Sequence, residues 1–334
     1  MAFRQDDEAN RLGGRLARYA RVGTNVGGLA ARVAGTRLFG RELGDARNAA
    51  ELAAALGGLK GPLMKVAQLL ATVPDLLPPE FATELAKLQA NAPPMGWAFA
   101  KRRLQAELGA GWQSRFASFD KEPAAAASLG QVHRAISLEG EQLACKLQYP
   151  EMASAVEADL AQLGIILSIQ RRFSPEIDTR EIAKEIGERL REELDYKREA
   201  KHIALYSRIL RDEPLVRVPG VVPELSTARL LTMSWLDGAP LLDFKRHSLN
   251  DRNLLARALF FAWWRPFVRY GVIHGDPHLG NYSVFSEGQR PAGINLLDYG
   301  SIRVFPPTFV AGVLGLYLGL RTGDRDRIVA AYES

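Results

Sequence analysis

The chain has a single cysteine, Cys145, and only five histidines. One thiol excludes an intramolecular disulfide framework and fits a reducing compartment, and no group of Cys and His has the spacing of a structural zinc site. Long apolar runs are scarce. The longest uncharged one, Val304–Leu320, carries Pro306 and Pro307 near its start and Gly312, Gly315 and Gly319 within it. It is marginal for crossing a bilayer, which takes roughly 20 apolar residues, and reads as a buried helix. The first residues, Met-Ala-Phe-Arg-Gln-Asp-Asp-Glu, put acids where a secretory leader would have a basic stretch, so the expectation is a cytoplasmic protein with no transmembrane segment. Excess charge is also small: net +5, with 24% charged and 47% apolar residues, the balance of a folded globular chain. No aromatic-interleaved basic stripe is present, so nucleic acid is not an expected partner. The basic residues that do gather, Arg11, Arg15, Arg18 and Arg21, recur at helical spacing beside Leu12, Leu16, Tyr19 and Val22. A solvated helix face and a contact with anionic lipid both fit that pattern.

What the sequence does have is the run His274-Gly275-Asp276-Pro277-His278-Leu279-Gly280-Asn281, with Asp298-Tyr299-Gly300 beginning seventeen positions after the Asn. Each segment alone reads equally well as a polar turn, since Asp, Gly, Asn and Pro all favour turns. Their order, with the apolar strand-like pieces Tyr282 to Phe285 and Ile294 to Leu297 between them, favours chemistry. The pattern gathers three oxygen-bearing side chains around one Mg-nucleotide. Asp276 would position the attacking oxygen, and Asn281 and Asp298 would hold Mg²⁺, a hard ion that takes carboxylate, amide and phosphate oxygens. The expected cofactors are therefore ATP/ADP and Mg²⁺, in an ATP-dependent phosphotransferase or ATPase.

Residues 1–112 are rich in Ala, Leu and Arg and predict a helical extension. From Arg115 the pattern predicts strands at Phe116 to Phe119, Gln131 to Leu138 and Gln142 to Gln148, with a tight turn at Glu139-Gly140. A long charged helix is expected over Glu176 to Leu210. Two more strands follow, at Val221-Val222 and Arg229 to Trp235, completing a small lobe over 113–236. An aromatic helix, Asp251 to Tyr270, leads into the HGDPHLGN loop, and a short large lobe takes up 237–334.

Lys146 sits in the apolar strand Leu143-Ala144-Cys145-Lys146-Leu147-Gln148, where a cation needs a partner. A strand-edge Lys facing water is the plain reading; given the downstream motif, Lys146 is assigned to the α and β phosphates. The helix offers Glu192, Glu193, Asp195 and Glu199. On a continuous helix Glu192, Asp195 and Glu199 share a face, and Glu199 is favoured as the ion pair of Lys146 over the plain reading of a solvated charge run. Ala125, Ala126, Ala127, Ser128 and Gln131 occupy the place of a nucleotide-covering loop. Kinases usually put glycine there so that backbone N–H groups approach phosphate. Alanine keeps those N–H groups and restricts the dihedrals, so a stiffer loop is expected.

Together AAAASLGQVH at 124–133, EELDYKREA at 192–200, HGDPHLGN and Asp-Tyr-Gly resemble the UbiB/ADCK family of atypical kinases, over about Lys60 to Tyr299. The resemblance implies an α+β, protein-kinase-like bilobal fold with an N-terminal helical extension that folds over the active site. The family's Lys-x-Gly-Gln signature is matched by Lys65-Val66-Ala67-Gln68, with Ala67 for the Gly, and Leu279 stands where a Pro is common. Lys65 and Gln68 would by analogy reach into the site, anchored by Glu193 and Asp195 as the Glu-x-Asp element. The resemblance further implies ATP binding with slow hydrolysis in support of ubiquinone (coenzyme Q) or related isoprenoid-lipid biosynthesis. It also implies a peripheral inner-membrane location, with anionic lipid, a quinone precursor or a biosynthetic protein complex as partners. Two other readings stay open: a nucleotide-gated module with little catalysis, and a small-molecule phosphotransferase of the His-Gly-Asp type.

Overall fold

The structure, a computed structural model, describes residues 95–333 apart from 128, 151, 158–159, 162–178 and 277. The expected basic helix at Arg11 to Arg21, the rest of the helical extension up to residue 94, Lys65, Gln68 and Ser128 lie outside the described residues. The chain divides into two compact units, 1–134 with 146–194, and 135–145 with 195–334.

In the first unit, helix α1 (Trp97–Leu108) buries Ala100, Leu104 and Leu108. It also buries Arg103, which burial alone would disfavour. The guanidinium is satisfied by donating from Nε to Gln148 O at 3.2 Å and from Nη2 to Tyr149 O at 3.2 Å, with Glu107 at 3.6 Å. A buried cation with this much pairing fastens the helix to the strand end rather than weakening it. Trp112, Phe116 and Phe119 pack edge to face at 5.3 to 6.4 Å, an arrangement that suits ring quadrupoles. The strand expected over Phe116 to Phe119 shrinks to β1 (Ser118–Phe119), because Trp112–Arg115 closes a 3₁₀ turn.

The alanine run forms strand β2 (Ala125–Ala127), paired antiparallel to β3 (Gly130–Ile136) with Ala127 opposite Gly130. Strand β4 (Gln142–Gln148) has the bounds expected of it, and Gly140, at φ 88°, supplies the left-handed turn before it. The strand order in this sheet is β1-β3-β4-β6, β6 being Leu230–Ser234, with β2 on β3. A helical stretch at 152–157 packs Val156 against Ile186 and Leu190 of α2 (Thr179–Glu193).

The single long helix expected over Glu176 to Leu210 is instead two. α2 ends at Glu193, and α3 (Tyr196–Ile209) starts afresh with Asp195 as N-cap, its carboxylate accepting the Arg198 N–H at 3.0 Å. Asp is among the best N-caps because its oxygen satisfies a first-turn N–H that the helix cannot. Glu192, Asp195 and Glu199 therefore do not share the face of one continuous helix, contrary to expectation.

The second unit contains β6 (Leu230–Ser234), whose neighbour Trp235 donates its N–H to Gln142 O at 2.9 Å. Val221 forms only an isolated bridge to Met233, in place of the strand expected there. A four-stranded sheet has the order β5-β10-β9-β7: β5 (Val216–Arg217), unforeseen in the sequence, β7 (Ala239–Pro240), β9 (Tyr282–Glu287) and β10 (Arg290–Leu296). Helix α4 (Leu249–Tyr270), capped by Ser248 on the Asp251 N–H and closed by left-handed Gly271, packs on β10 and on β8 (Val272–His274). β8 pairs with β11 (Ile302–Val304), His274 opposite Ile302.

The uncharged run forms α5 (Pro307–Thr322), paired with α6 (Arg325–Glu333). Contrary to expectation α5 is not a buried helix: only Val310 and Gly319 are buried, and Leu320 is 66% exposed. Helix α4 also reaches it, Trp264 against Tyr317 and Phe267 against Phe309, both with ring centroids 6.5 Å apart. Among the described residues no helix is long and apolar enough to cross a membrane.

Cys145 is fully buried, with the Thr232 hydroxyl donating to Sγ at 3.8 Å. Burial pushes its thiol up to about 12, outweighing the lowering by Thr232. Because the thiolate is the reactive form, maleimide at pH 8 is expected to leave the folded protein unlabelled and to label it in denaturant. Rapid labelling of the folded protein would contradict this burial.

Candidate functional site

The strand-to-loop turn after β8 positions the candidate site residues of the second unit. Gly275 donates its N–H to Ser301 O at 2.7 Å, and a Cβ at this position would lie 2.5 Å from that same oxygen. Only glycine allows so close an approach of the two chain segments. Gly275→Ala is expected to cost about 1–3 kcal/mol, read as a lower melting temperature, while an unchanged melt would show that the segments separate easily.

His274, fully buried, links both halves of the motif. Its Nδ1 accepts the Asp276 N–H at 3.2 Å and its Nε2 lies 2.7 Å from Asp298 O. One neutral tautomer, with hydrogen on Nε2, satisfies both bonds. The Asp276 carboxylate accepts the His278 N–H at 3.2 Å, and its main-chain oxygen accepts from Asn281 Nδ2 at 3.1 Å. Since the Asn281 amide nitrogen is turned to the loop, Oδ1 is the atom it presents elsewhere. Leu297 N–H donates to Asn281 O at 3.0 Å, tying β10's end to the loop. Asp276, Asn281 and Asp298 are thus brought into one hydrogen-bonded group.

Asp298 accepts the Gly300 N–H on Oδ1 at 2.9 Å. A half-buried carboxylate and an amide oxygen, on segments fixed by main-chain bonds, are a donor set suited to Mg²⁺, which takes few protein oxygens and completes its shell with water and phosphate. These residues fit the ion that the sequence suggests.

Glu199 is buried, and its Oε1 accepts the Tyr299 N–H at 3.4 Å. Tyr299 is itself fully buried, its hydroxyl donating to Leu296 O at 3.0 Å. Burial first, then Tyr206, Asp298 and Glu199, hold that phenol well above its usual range, so it remains a donor. Tyr282, whose hydroxyl accepts from Trp263 Nε1 at 2.6 Å, is raised by burial, against the Trp263 bond and with the nearby Asp276 charge.

In the first unit Lys146 is half-buried on β4. Gln131 is fully buried, its amide spent on Met95, which donates N–H to Oε1 at 2.7 Å, and on His133 Nε2 at 2.8 Å. His133 Nδ1 meets Asp120 O at 2.8 Å, and burial, against the raising influence of Asp120 and Glu122, lowers its pKa and keeps it neutral. The Gln131 side chain therefore anchors the chain at Met95. Ala125 and Ala126 are exposed, Ala127 and Glu193 half-buried, and Asp195 is exposed with its carboxylate on the α3 N-terminus.

Sequence reasoning passed over His274 as a link and His202, whose Nδ1 lies 2.9 Å from Tyr299 O. It also passed over Asn295, buried on β10, which donates to Asp237 O and to Ser283 Oγ, both at 2.9 Å. The only sequence signal was polarity inside apolar strands and beside the motif.

Comparison with known proteins shows the family and the fold class. The model of the ABC1 atypical kinase-like domain matches residues 87–332. Atypical kinase COQ8B, mitochondrial, of Rattus norvegicus is 29% identical over 283 residues, covering 84% of this chain and 53% of that protein. Protein ACTIVITY OF BC1 COMPLEX KINASE 1, chloroplastic, of Arabidopsis thaliana is 34% identical, covering 73% and 36% respectively. The chain thus spans about half or less of the length of these relatives. The solved complex of Rv3197 with erythromycin from Mycobacterium tuberculosis superposes with a TM-score of 0.61 at 29% identity, covering 93% of this chain and 75% of that one. The fold class is α+β and kinase-like, as expected, and the chain belongs to the ABC1 atypical kinase-like family.

Proposed function

We propose that the chain binds Mg-ATP at the Asp276–Asn281–Asp298 group and turns it over, as an atypical kinase or ATPase supporting ubiquinone or related isoprenoid-lipid biosynthesis. The observation that carries this reading is His274, one side chain that fixes the Asp276 main chain and the Asp298 main chain together. It presents a base and two metal ligands as a rigid set, which is what phosphoryl transfer asks of a protein, since that chemistry depends on positioning and charge.

Mg²⁺ when bound would neutralise charge on the phosphate oxygens. Asn281 Oδ1 and the Asp298 carboxylate would hold it. Asp276, kept in place by the His278 N–H, would orient an acceptor hydroxyl or water and take its proton. Lys146 is proposed as the phosphate-holding cation on its motif alone. The biosynthetic role rests on relatives named as COQ8 kinases.

The test is ADP release by purified protein with Mg-ATP, with and without anionic liposomes and a phenol resembling a quinone precursor. Turnover that rises with lipid or phenol supports the reading. Tight nucleotide binding with no ADP release in any condition would replace it by a nucleotide-gated module.

A further inference from the structure

Two consecutive peptide units decide where the Asp298 carboxylate points, and each of their four polar groups has its own partner. In the Asp298–Tyr299 unit, the carbonyl meets His274 Nε2 at 2.7 Å and the N–H meets Glu199 Oε1 at 3.4 Å. In the Tyr299–Gly300 unit, the N–H meets Asp298 Oδ1 at 2.9 Å and the carbonyl meets His202 Nδ1 at 2.9 Å. Glu199 and His202 are one turn apart on α3, so a single helix face grips both sides of Tyr299. The Tyr299 ring adds an edge-to-face contact with Tyr206 of the same helix, centroids 5.5 Å apart.

The four bonds are not equivalent. His274 and Glu199 hold the first peptide, and among the described residues the second is held from outside the turn by His202. Were the second peptide to rotate, the Gly300 N–H would leave Asp298 Oδ1, and the carboxylate would lose a main-chain donor that helps to hold its rotamer. A buried carbonyl with no donor is costly, so the His202 Nδ1–H is what keeps this peptide from rotating.

We propose that His202 is a positioning residue: through the Tyr299 carbonyl it fixes the Gly300 N–H, and through that the rotamer of Asp298 for a divalent cation. This rests on the Mg-nucleotide reading above and deepens it. The role needs a donor at the Nδ1 position, which the amide of asparagine also supplies and leucine does not.

The experiment compares wild type, His202→Leu and His202→Asn in two readouts. The first is the Mg²⁺ concentration for half-maximal ADP binding, alongside ADP binding in EDTA. His202→Leu is expected to raise the Mg²⁺ requirement about tenfold, the worth of one well-placed hydrogen bond, while binding in EDTA stays the same. His202→Asn is expected to restore it. The second readout needs no nucleotide: hydrogen exchange of the Gly300 amide, faster in His202→Leu and restored in His202→Asn. An unchanged Gly300 amide in His202→Leu overturns the proposal, and so does equal loss of binding with and without Mg²⁺. Wild-type ADP binding that ignores Mg²⁺ would overturn the metal reading itself. The amide exchange would then still show whether His202 fixes this peptide.

Discussion

Asp298→Ala is expected to weaken Mg²⁺-dependent nucleotide binding by about 100-fold or more, the several kcal/mol that a lost metal ligand represents. The reason is double. The carboxylate is the one charged oxygen donor of the pair, and it also accepts the Gly300 N–H at 2.9 Å. Asp298→Asn separates the two roles, because its amide oxygen still accepts from Gly300 while its charge is gone. If the metal role dominates, Asp298→Asn falls nearly as far as Asp298→Ala. If it binds Mg-nucleotide like wild type, Asp298 serves only the turn. Binding measured with Mg²⁺ and with EDTA, beside the melting temperature, distinguishes these results.

Asp276→Asn is expected to do the opposite: nucleotide binding stays within about twofold, and turnover falls about 10²–10⁴-fold, the range for loss of a positioned base. The loop should survive the change. The Asp276 N–H goes to His274 and its carbonyl takes the Asn281 amide, bonds that belong to the main chain. The His278 N–H, now on a carboxylate oxygen, finds an equivalent acceptor on the amide. What is lost is the ability to take a proton. Single-turnover ADP formation at saturating Mg-ATP reads this directly, and a rate equal to wild type would remove Asp276 from the reaction.

The strands carrying Lys146 and the motif segments were legible because they are short apolar runs bounded by turn residues. β4 has the bounds its pattern suggests, and Gly140 turns where expected. The break between α2 and α3 was not legible. Asp195 sits in a run of charges where a cap and a helix-face residue look alike, and only the Arg198 N–H tells them apart. For α5 the reason is different: composition says that a run is apolar, but burial depends on which elements reach it, and only Val310 and Gly319 of this helix are fully buried while 312–316 are half-buried. At the candidate site, order and spacing singled out Asp276, Asn281 and Asp298; Asn281 bonds the Asp276 carbonyl, and His274 links the main chains of the two aspartates. The bonds that hold them run through main-chain groups of Asp276, Asp298 and Tyr299, which have no residue-type signature. His274 and His202 were passed over for that reason.

The most direct measurement is a calorimetric titration of ADP into the wild-type protein, once with Mg²⁺ and once with EDTA. A built Asn281–Asp298 metal site predicts binding in both conditions that is clearly tighter with Mg²⁺. Absence of binding in both, or identical affinity with and without the ion, would contradict a Mg-nucleotide site at this loop.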